Sequence, residues 1–164
     1  MRKVTYAVVL ALSVLCLLAV FAVHKAIAVP YDYPAKPGSP EWKSLTSHAE
    51  MVEACQIPAE VLKNMTTASL VETVSNYPLI YDMYAYNNIQ LGFTAVSRQF
   101  NGVLELYARE DAGKKLMEKY TSMTNEAPGS EYKLAFIEML LSQPEIMADL
   151  SPLQRDDLLK VIKP

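Results

Sequence analysis

Residues 88–109 read NIQLGFTAVSRQFNGVLELYAR, and they carry the strongest periodic pattern in the chain. Apolar residues recur in this stretch at steps of three and four, the spacing of one α-helical face, and they are Ile89, Phe93, Val96, Phe100, Val103, Leu104 and Tyr107. The pattern predicts one long helix from Asn88 to Arg109, roughly 30 Å in length. We therefore expect a central helix against which the other helices pack.

Two glycines, Gly92 and Gly102, lie inside this predicted helix. Each costs about 1 kcal/mol relative to alanine in a helix interior. The apolar stripe runs through both positions without interruption, so we expect it to outweigh the two penalties. A break at Asn101-Gly102 is the alternative.

The remainder of the chain repeats the helical spacing without any run of alternating β-branched residues. Ser47 and Ser151 each precede a Glu or Gln by three residues, as in a capping box, and Thr66 or Thr67 is a further candidate N-cap. The sequence therefore predicts an all-α fold. We expect a compact multi-helix bundle, or a short superhelical array, of about seven helices around the long central helix, after an N-terminal signal helix.

The N-terminus has the organisation of a secretory signal peptide. Arg2 and Lys3 precede an apolar run over residues 4–23, and Ala26-Ile27-Ala28 then supplies the small residues of a cleavage site. We expect residues 1–28 to be a signal peptide that is cleaved after Ala28. The alternative is an uncleaved membrane anchor, because the run approaches the roughly 20 residues that span a bilayer. Both alternatives make the domain secreted or extracytoplasmic, because the charges at the start of the chain stay in the cytoplasm.

Residues 29–41 contain four prolines and favour extended polyproline geometry. We interpret them as a stiff linker, and we place a single helical domain at residues 42–164. A docking strand for an aromatic groove is the alternative role of this segment.

Composition excludes several functions. The chain is 51% hydrophobic and 20% charged, which favours a folded domain, and its net charge of −3 disfavours nucleic acid as a partner. Without the signal peptide, one histidine and one cysteine remain, so a zinc site with several histidines cannot form within one chain. There is no phosphate-binding glycine loop or dinucleotide fingerprint, and we predict no cofactor. A membrane partner is expected only through an uncleaved N-terminal segment.

One candidate metal site lies in the first predicted helix of the domain. His48, Met51 and Cys55 are spaced at i, i+3 and i+7 on one face, and their ligand types suit Cu(I). The alternative is that Met51 and Cys55 are core residues and that His48 lies at the edge of the core. We favour the alternative, since side chains two helical turns apart rarely converge on one ion.

Tyrosines are concentrated between residues 77 and 86. Tyr77, Tyr81, Tyr84 and Tyr86 surround Asp82, and the first three share one helical face. Such rings beside a carboxylate can form a binding platform for a sugar or a peptide, because they give large contact areas at low entropic cost. The alternative is that the rings pack between two helices.

Several blocks of this sequence resemble a group of uncharacterised secreted bacterial proteins. The blocks are Met65-Thr66-Thr67, Leu70-Val71-Glu72-Thr73, Tyr77-Pro78-Leu79, Phe100-Asn101-Gly102, Glu105-Leu106 and Arg109-Glu110-Asp111-Ala112. The resemblance covers residues 42–120 and implies a bacterial exported protein. It brings no activity, ligand or catalytic residue with it.

From the sequence we expect a non-enzymatic binding module for a peptide, a protein or a component of the cell envelope. The alternative is an enzyme, or an enzyme accessory, that acts on an envelope polymer. In that case Asp82 with the neighbouring tyrosines, or Glu110 with Arg109, would supply the reactive groups.

Overall fold

A computed structural model of the chain describes residues 26–124 and 131–161, and these residues confirm the all-α prediction. They contain no β-strand, and their only bridge pairing joins Ile27 to Met65. The predicted signal helix and its apolar run lie outside the described residues, apart from the last few positions of the predicted signal peptide. The helices in chain order are α1 Pro40–Ser44, α2 His48–Ala54, α3 Ala59–Asn64, α4 Thr67–Ser75, a 3₁₀-helix Ile80–Ala85, α5 Ile89–Gln99, α6 Asn101–Tyr107, α7 Ala112–Met123, α8 Glu131–Leu141, α9 Pro144–Ala148 and α10 Pro152–Val161.

The predicted caps form as the sequence indicates. Ser47 accepts a hydrogen bond from the backbone N–H of Glu50 at 3.2 Å, and the Glu50 carboxylate accepts one from the N–H of Ser47. Thr66 caps α4 through the N–H of Ser69 at 3.1 Å, and Ser151 forms the reciprocal pair with Gln154 at the start of α10. These bonds satisfy backbone donors that the first turn of a helix leaves free.

The core lies between α4, the α5–α6 region, α7 and α8. Helix α4 presents Leu70, Val71 and Val74 inward, while four residues of α8 are fully buried, namely Phe136, Ile137, Leu140 and Leu141. The Phe93 ring of α5 meets the Phe136 ring of α8 with 5.4 Å between the ring centroids. Burial of these apolar side chains is the main source of stability in a domain of this size.

The prediction of one continuous helix over residues 88–109 is wrong. Phe100 has an extended backbone, with φ −112° and ψ 114°, and it separates α5 from α6. The Asn101 side chain accepts from the N–H of Ile57 at 3.0 Å and donates to its carbonyl at 2.7 Å, while Gln56 accepts from the N–H of Asn101. The turn before α3 thus holds Asn101 in place at the kink. The break lies at Phe100, one residue before the Asn101-Gly102 break that was the alternative.

Gly92 has a packing role inside α5. A Cβ atom at this position would lie 1.9 Å from the carbonyl oxygen of Met83, far inside contact distance. The absence of a side chain therefore lets the 3₁₀-helix lie directly against α5, and this contact is the most extensive between any two elements in the described part of the chain. It fixes the position of Asp82 and of the tyrosines around it.

The predicted linker is also corrected by the structure. Residues 27–37, which we name the N-terminal strap, pack on the helical domain, and Tyr33 and Ala35 are buried there. The N–H of Tyr31 donates to the Thr73 hydroxyl at 2.8 Å, and the Tyr33 hydroxyl donates to the Thr73 carbonyl at 3.1 Å. The packed domain therefore begins before residue 42, since a proline-rich segment can be extended and still bury an aromatic ring.

The predicted cleavage site lies at the start of the strap. Ile27 donates its N–H to the carbonyl of Asn64 at 2.6 Å and accepts from the N–H of Thr66 at 3.0 Å. Cleavage after Ala28 stays a prediction, and it would remove both of these bonds. Within residues 26–124 and 131–161, no helix has the length and apolar character needed to cross a bilayer.

Candidate functional site

The structure divides the predicted tyrosine platform into a buried part and an exposed part. Tyr77 is buried, and its ring stacks on Phe100 with 4.0 Å between the centroids. Tyr81, Tyr84 and Tyr86 are 53%, 42% and 47% exposed. Tyr77 therefore has a packing role in the core, and only the other three rings are available to a ligand.

Two of the exposed rings meet a third tyrosine that the sequence analysis did not single out. Tyr132, in the first turn of α8, lies edge-on to Tyr81 and to Tyr84, with centroid distances of 5.2 and 5.4 Å. We name these three residues the tyrosine cluster. Edge-to-face pairs of this kind are favourable beyond the area that they bury. The sequence signal for Tyr132 is weak, because an isolated tyrosine at a helix start is common.

A groove of about 460 Å³ lies beside the tyrosine cluster, between the N-terminal strap and the C-terminal end of α4. Tyr81 forms part of its wall. The charged residues that line it already have partners in the fold: Lys36 pairs with Asp32, Glu72 with Lys119 at 2.8 Å, and Lys133 donates to Asn76 at 2.6 Å. Desolvation opposes ionisation of Glu72, but its bonds to Lys119 and Asn76 outweigh that effect and lower its pKa.

Asp82 does not face the tyrosine cluster as a free carboxylate. It accepts a hydrogen bond from Nε2 of His48, with 2.6 Å between Nε2 and Oδ2. The two side chains line a small cavity of about 180 Å³, together with Tyr86 and Gln99. An imidazole oriented by a carboxylate can accept a proton from a bound hydroxyl or water. However, no serine, threonine or cysteine is among the described residues that line this cavity.

The three predicted copper ligands are not brought together. Cys55 is fully buried at the C-terminal end of α2, while His48 is at the other end of the helix, exposed and directed to Asp82. Met51 packs against the core between them. Burial raises the pKa of the Cys55 thiol to about 11, with a further contribution from the Asp82 charge. In the described ranges, no group of three or more His, Cys, Asp or Glu side chains is placed to hold a metal ion.

The alternative catalytic pair, Glu110 with Arg109, does not form either. The Arg109 guanidinium binds Glu105 at 2.7 Å, and it donates to the carbonyls of Leu62 and Met65 at 3.1 Å each. These two carbonyls lie at the C-terminal end of α3, where the last carbonyls of a helix have acceptor capacity left over, although that of Leu62 also accepts the N–H of Met65 at 3.3 Å. Arg109 therefore stabilises the junction between α3 and α6, and Glu110 is exposed.

Comparison with protein-family models, with curated protein sequences and with solved structures found no match to this chain.

Proposed function

We propose that this protein is an exported, non-enzymatic binding module, and that the tyrosine cluster is its ligand-contacting surface. The ligand is a peptide, a protein or a component of the cell envelope. The observation that carries this proposal is the cluster itself, since three rings from two elements are held edge-to-face and remain about half exposed.

Support comes from the energetics of aromatic side chains. A tyrosine ring that stays exposed gives little to folding, yet it offers a large, rigid contact area with few bonds to immobilise on binding. Tyrosine is accordingly enriched among residues that dominate binding energy at interfaces. The neighbouring groove extends this surface towards the N-terminal strap.

Support for export comes from the sequence, in which charged residues, an apolar run and a small-residue motif follow one another as in a signal peptide. N-terminal sequencing of the protein recovered from the extracytoplasmic fraction tests this part of the proposal. We expect the chain to begin at Val29, and recovery in the cytoplasmic fraction alone would contradict export.

Binding is tested by co-sedimentation of the purified protein with an insoluble cell-envelope preparation, before and after protease digestion of that preparation. We expect the triple variant Tyr81→Ala, Tyr84→Ala, Tyr132→Ala to bind at least about 10-fold more weakly than the unchanged protein. The control is the double variant Leu153→Ala, Leu159→Ala, which removes two large apolar side chains that are 76% and 71% exposed and lie outside the cluster. Equal binding by the triple variant and the control variant would reject the cluster as the binding surface.

A second candidate function rests on the His48–Asp82 pair. An enzyme acting on an envelope polymer could use this imidazole as a proton acceptor beside the small cavity. Asp82→Asn should then abolish release of soluble fragments from the envelope preparation and leave co-sedimentation unchanged. If no fragments are released by the unchanged protein, the non-enzymatic proposal is favoured.

A further inference from the structure

The N-terminal strap is first attached to the helical domain at Ile27. The N–H of Ile27 donates to the carbonyl of Asn64 at 2.6 Å, and its carbonyl accepts from the N–H of Thr66 at 3.0 Å. Between these two residues, Met65 forms a parallel bridge with Ile27. Ile27 is therefore held in a strand-like pairing at the turn between α3 and α4, and both of its backbone hydrogen-bonding groups have partners in the domain.

The Ser69 side chain adds a third bond to the same residue. Its hydroxyl lies 2.7 Å from the Ile27 carbonyl and slightly farther, at 2.9 Å, from the carbonyl of Thr66. Ser69 is only 3% exposed, so water does not compete freely for this bond. The Ile27 side chain packs against the core while Ala26 and Ala28 on either side are exposed, which is the alternation of an extended segment.

The peptide bond that we expect to be cleaved, between Ala28 and Val29, lies between two attachments of the strap. Ile27 is held before it, and after it the N–H of Tyr31 donates to the Thr73 hydroxyl at 2.8 Å. Ala28 and Val29 are themselves exposed. However, the short segment between the two attachments leaves the surface of the domain only when one of them opens.

A peptidase and the folded domain compete for Ile27. Extended peptides are bound through their backbone groups, and a signal peptidase recognises small residues at the first and third positions before the cut, here Ala28 and Ala26. Ile27 is thus at the centre of the segment that the peptidase has to enclose. The domain already covers one edge of this segment and occupies both backbone groups of Ile27.

We infer that docking of Ile27 protects the cleavage site once the domain has folded, so that the signal peptide is removed from chains that the peptidase reaches before they fold. The reaction is a hydrolysis in which water adds across the Ala28–Val29 peptide bond, the C–N bond breaks, Ala28 becomes a carboxylate and Val29 becomes the new amino terminus. A chain that folds first keeps residues 1–28, and its cleavage then depends on local opening of the strap. The order of folding and cleavage therefore decides between a released and an anchored form of the protein. This inference rests on the proposed export and on the cleavage site after Ala28.

An order-of-addition experiment tests the inference. The full chain, unfolded in urea, is diluted into detergent buffer, and a bacterial signal peptidase is added either at dilution or after circular dichroism shows that folding is complete. Mass spectrometry then measures the chain that begins at Val29. We expect cleavage after folding to be at least about 10-fold slower. A peptide of residues 1–41, which lacks the helical domain, is the control and should be cleaved at the same rate in both orders.

The variant Ser69→Ala tests the contact itself. It removes one bond to Ile27 and keeps a good helix former in α4, so the folded variant should be cleaved about 5-fold faster than the unchanged folded chain. Ser75→Ala is the matched control, because it removes a buried hydroxyl of the same helix that bonds to the Val71 carbonyl and not to the strap. This control should leave the cleavage rate of the folded chain unchanged.

Equal cleavage of the full chain in both orders of addition would overturn the inference, and so would equal effects of the two serine variants. The control peptide distinguishes this failure from a failure of the proposed export. If the peptide is cleaved after Ala28 and the order of addition has no effect on the full chain, the protection is wrong and the cleavage site stands. If the peptide is not cleaved there, the predicted site is wrong, and the inference is rejected with it.

Discussion

The ring of Phe100 lies nearly parallel to the ring of Tyr77, with 13° between the ring planes and 4.0 Å between the centroids. Phe100 is the residue at which α5 ends and α6 begins, and Tyr77 follows the C-terminal end of α4. Tyr33 of the N-terminal strap approaches both rings, at 6.3 Å from Tyr77 and 6.4 Å from Phe100. Three segments far apart in sequence therefore meet at one aromatic contact.

Removal of the Phe100 ring should destabilise the domain strongly. We expect Phe100→Ala to lower the free energy of unfolding by about 3–5 kcal/mol, because it leaves a cavity in a fully buried site. Tyr77→Phe keeps the stacked ring and serves as the control, with a change below about 1.5 kcal/mol. Urea denaturation followed by circular dichroism measures both values, and equal effects of the two variants would contradict this account.

Substitution of Gly92 tests the contact that positions Asp82 and the tyrosine cluster. Gly92→Ala should lower the free energy of unfolding by about 1–3 kcal/mol, although alanine is the better helix former, because its Cβ would overlap the Met83 carbonyl. Gln90→Ala, on the exposed side of the same helix, is the control. Thermal unfolding of the two variants gives the comparison, and stabilisation by Gly92→Ala would show that the two helices are not in close contact.

Local features of this fold could be predicted from the sequence because their causes are local. Ser47, Thr66 and Ser151 cap helices through residues within three positions, and the dense apolar pattern of α8 is enough to place it in the core. The kink at Phe100 could not be predicted in the same way. The Asn101 side chain, next to the kink, bonds to the backbone of Ile57, 44 residues away. The periodic pattern contains no sign of this distant contact and therefore favours a continuous helix.

The candidate sites show the same limit. The sequence indicates the tyrosine-rich segment, but the pairing of Tyr81 and Tyr84 with Tyr132 depends on how α8 packs against the 3₁₀-helix. The His48–Asp82 contact spans 34 residues, so the spacing along the chain indicates only the neighbouring tyrosines as partners of Asp82. Proline content likewise predicts a linker, because composition does not reveal that the Tyr33 ring packs against the stacked rings of Tyr77 and Phe100.

Removal of the N-terminal strap should destabilise the helical domain. A chain that begins at Trp42 lacks the buried Tyr33 ring and its bond to the Thr73 carbonyl. We expect a loss of roughly 3–5 kcal/mol in unfolding free energy relative to a chain that begins at Val29. Tyr33→Phe in the longer chain, which removes only the hydroxyl, should cost about 1 kcal/mol. Equal stability of the two chains in urea denaturation would restore the interpretation of residues 29–41 as a free linker.

The Cys55 thiol should be unreactive in the folded protein. Burial and the Asp82 charge raise its pKa from 9.0 to about 11, and alkylation requires the thiolate. In a Cys16→Ser background, where Cys55 is the only thiol, we expect iodoacetamide to react at pH 8 about 100-fold more slowly in buffer than in urea. Because the folded state favours the protonated thiol, stability should fall as the pH rises from about 9 towards 11. Asp82→Asn should reduce that fall and speed the reaction, whereas equal rates in buffer and in urea would place Cys55 at the surface.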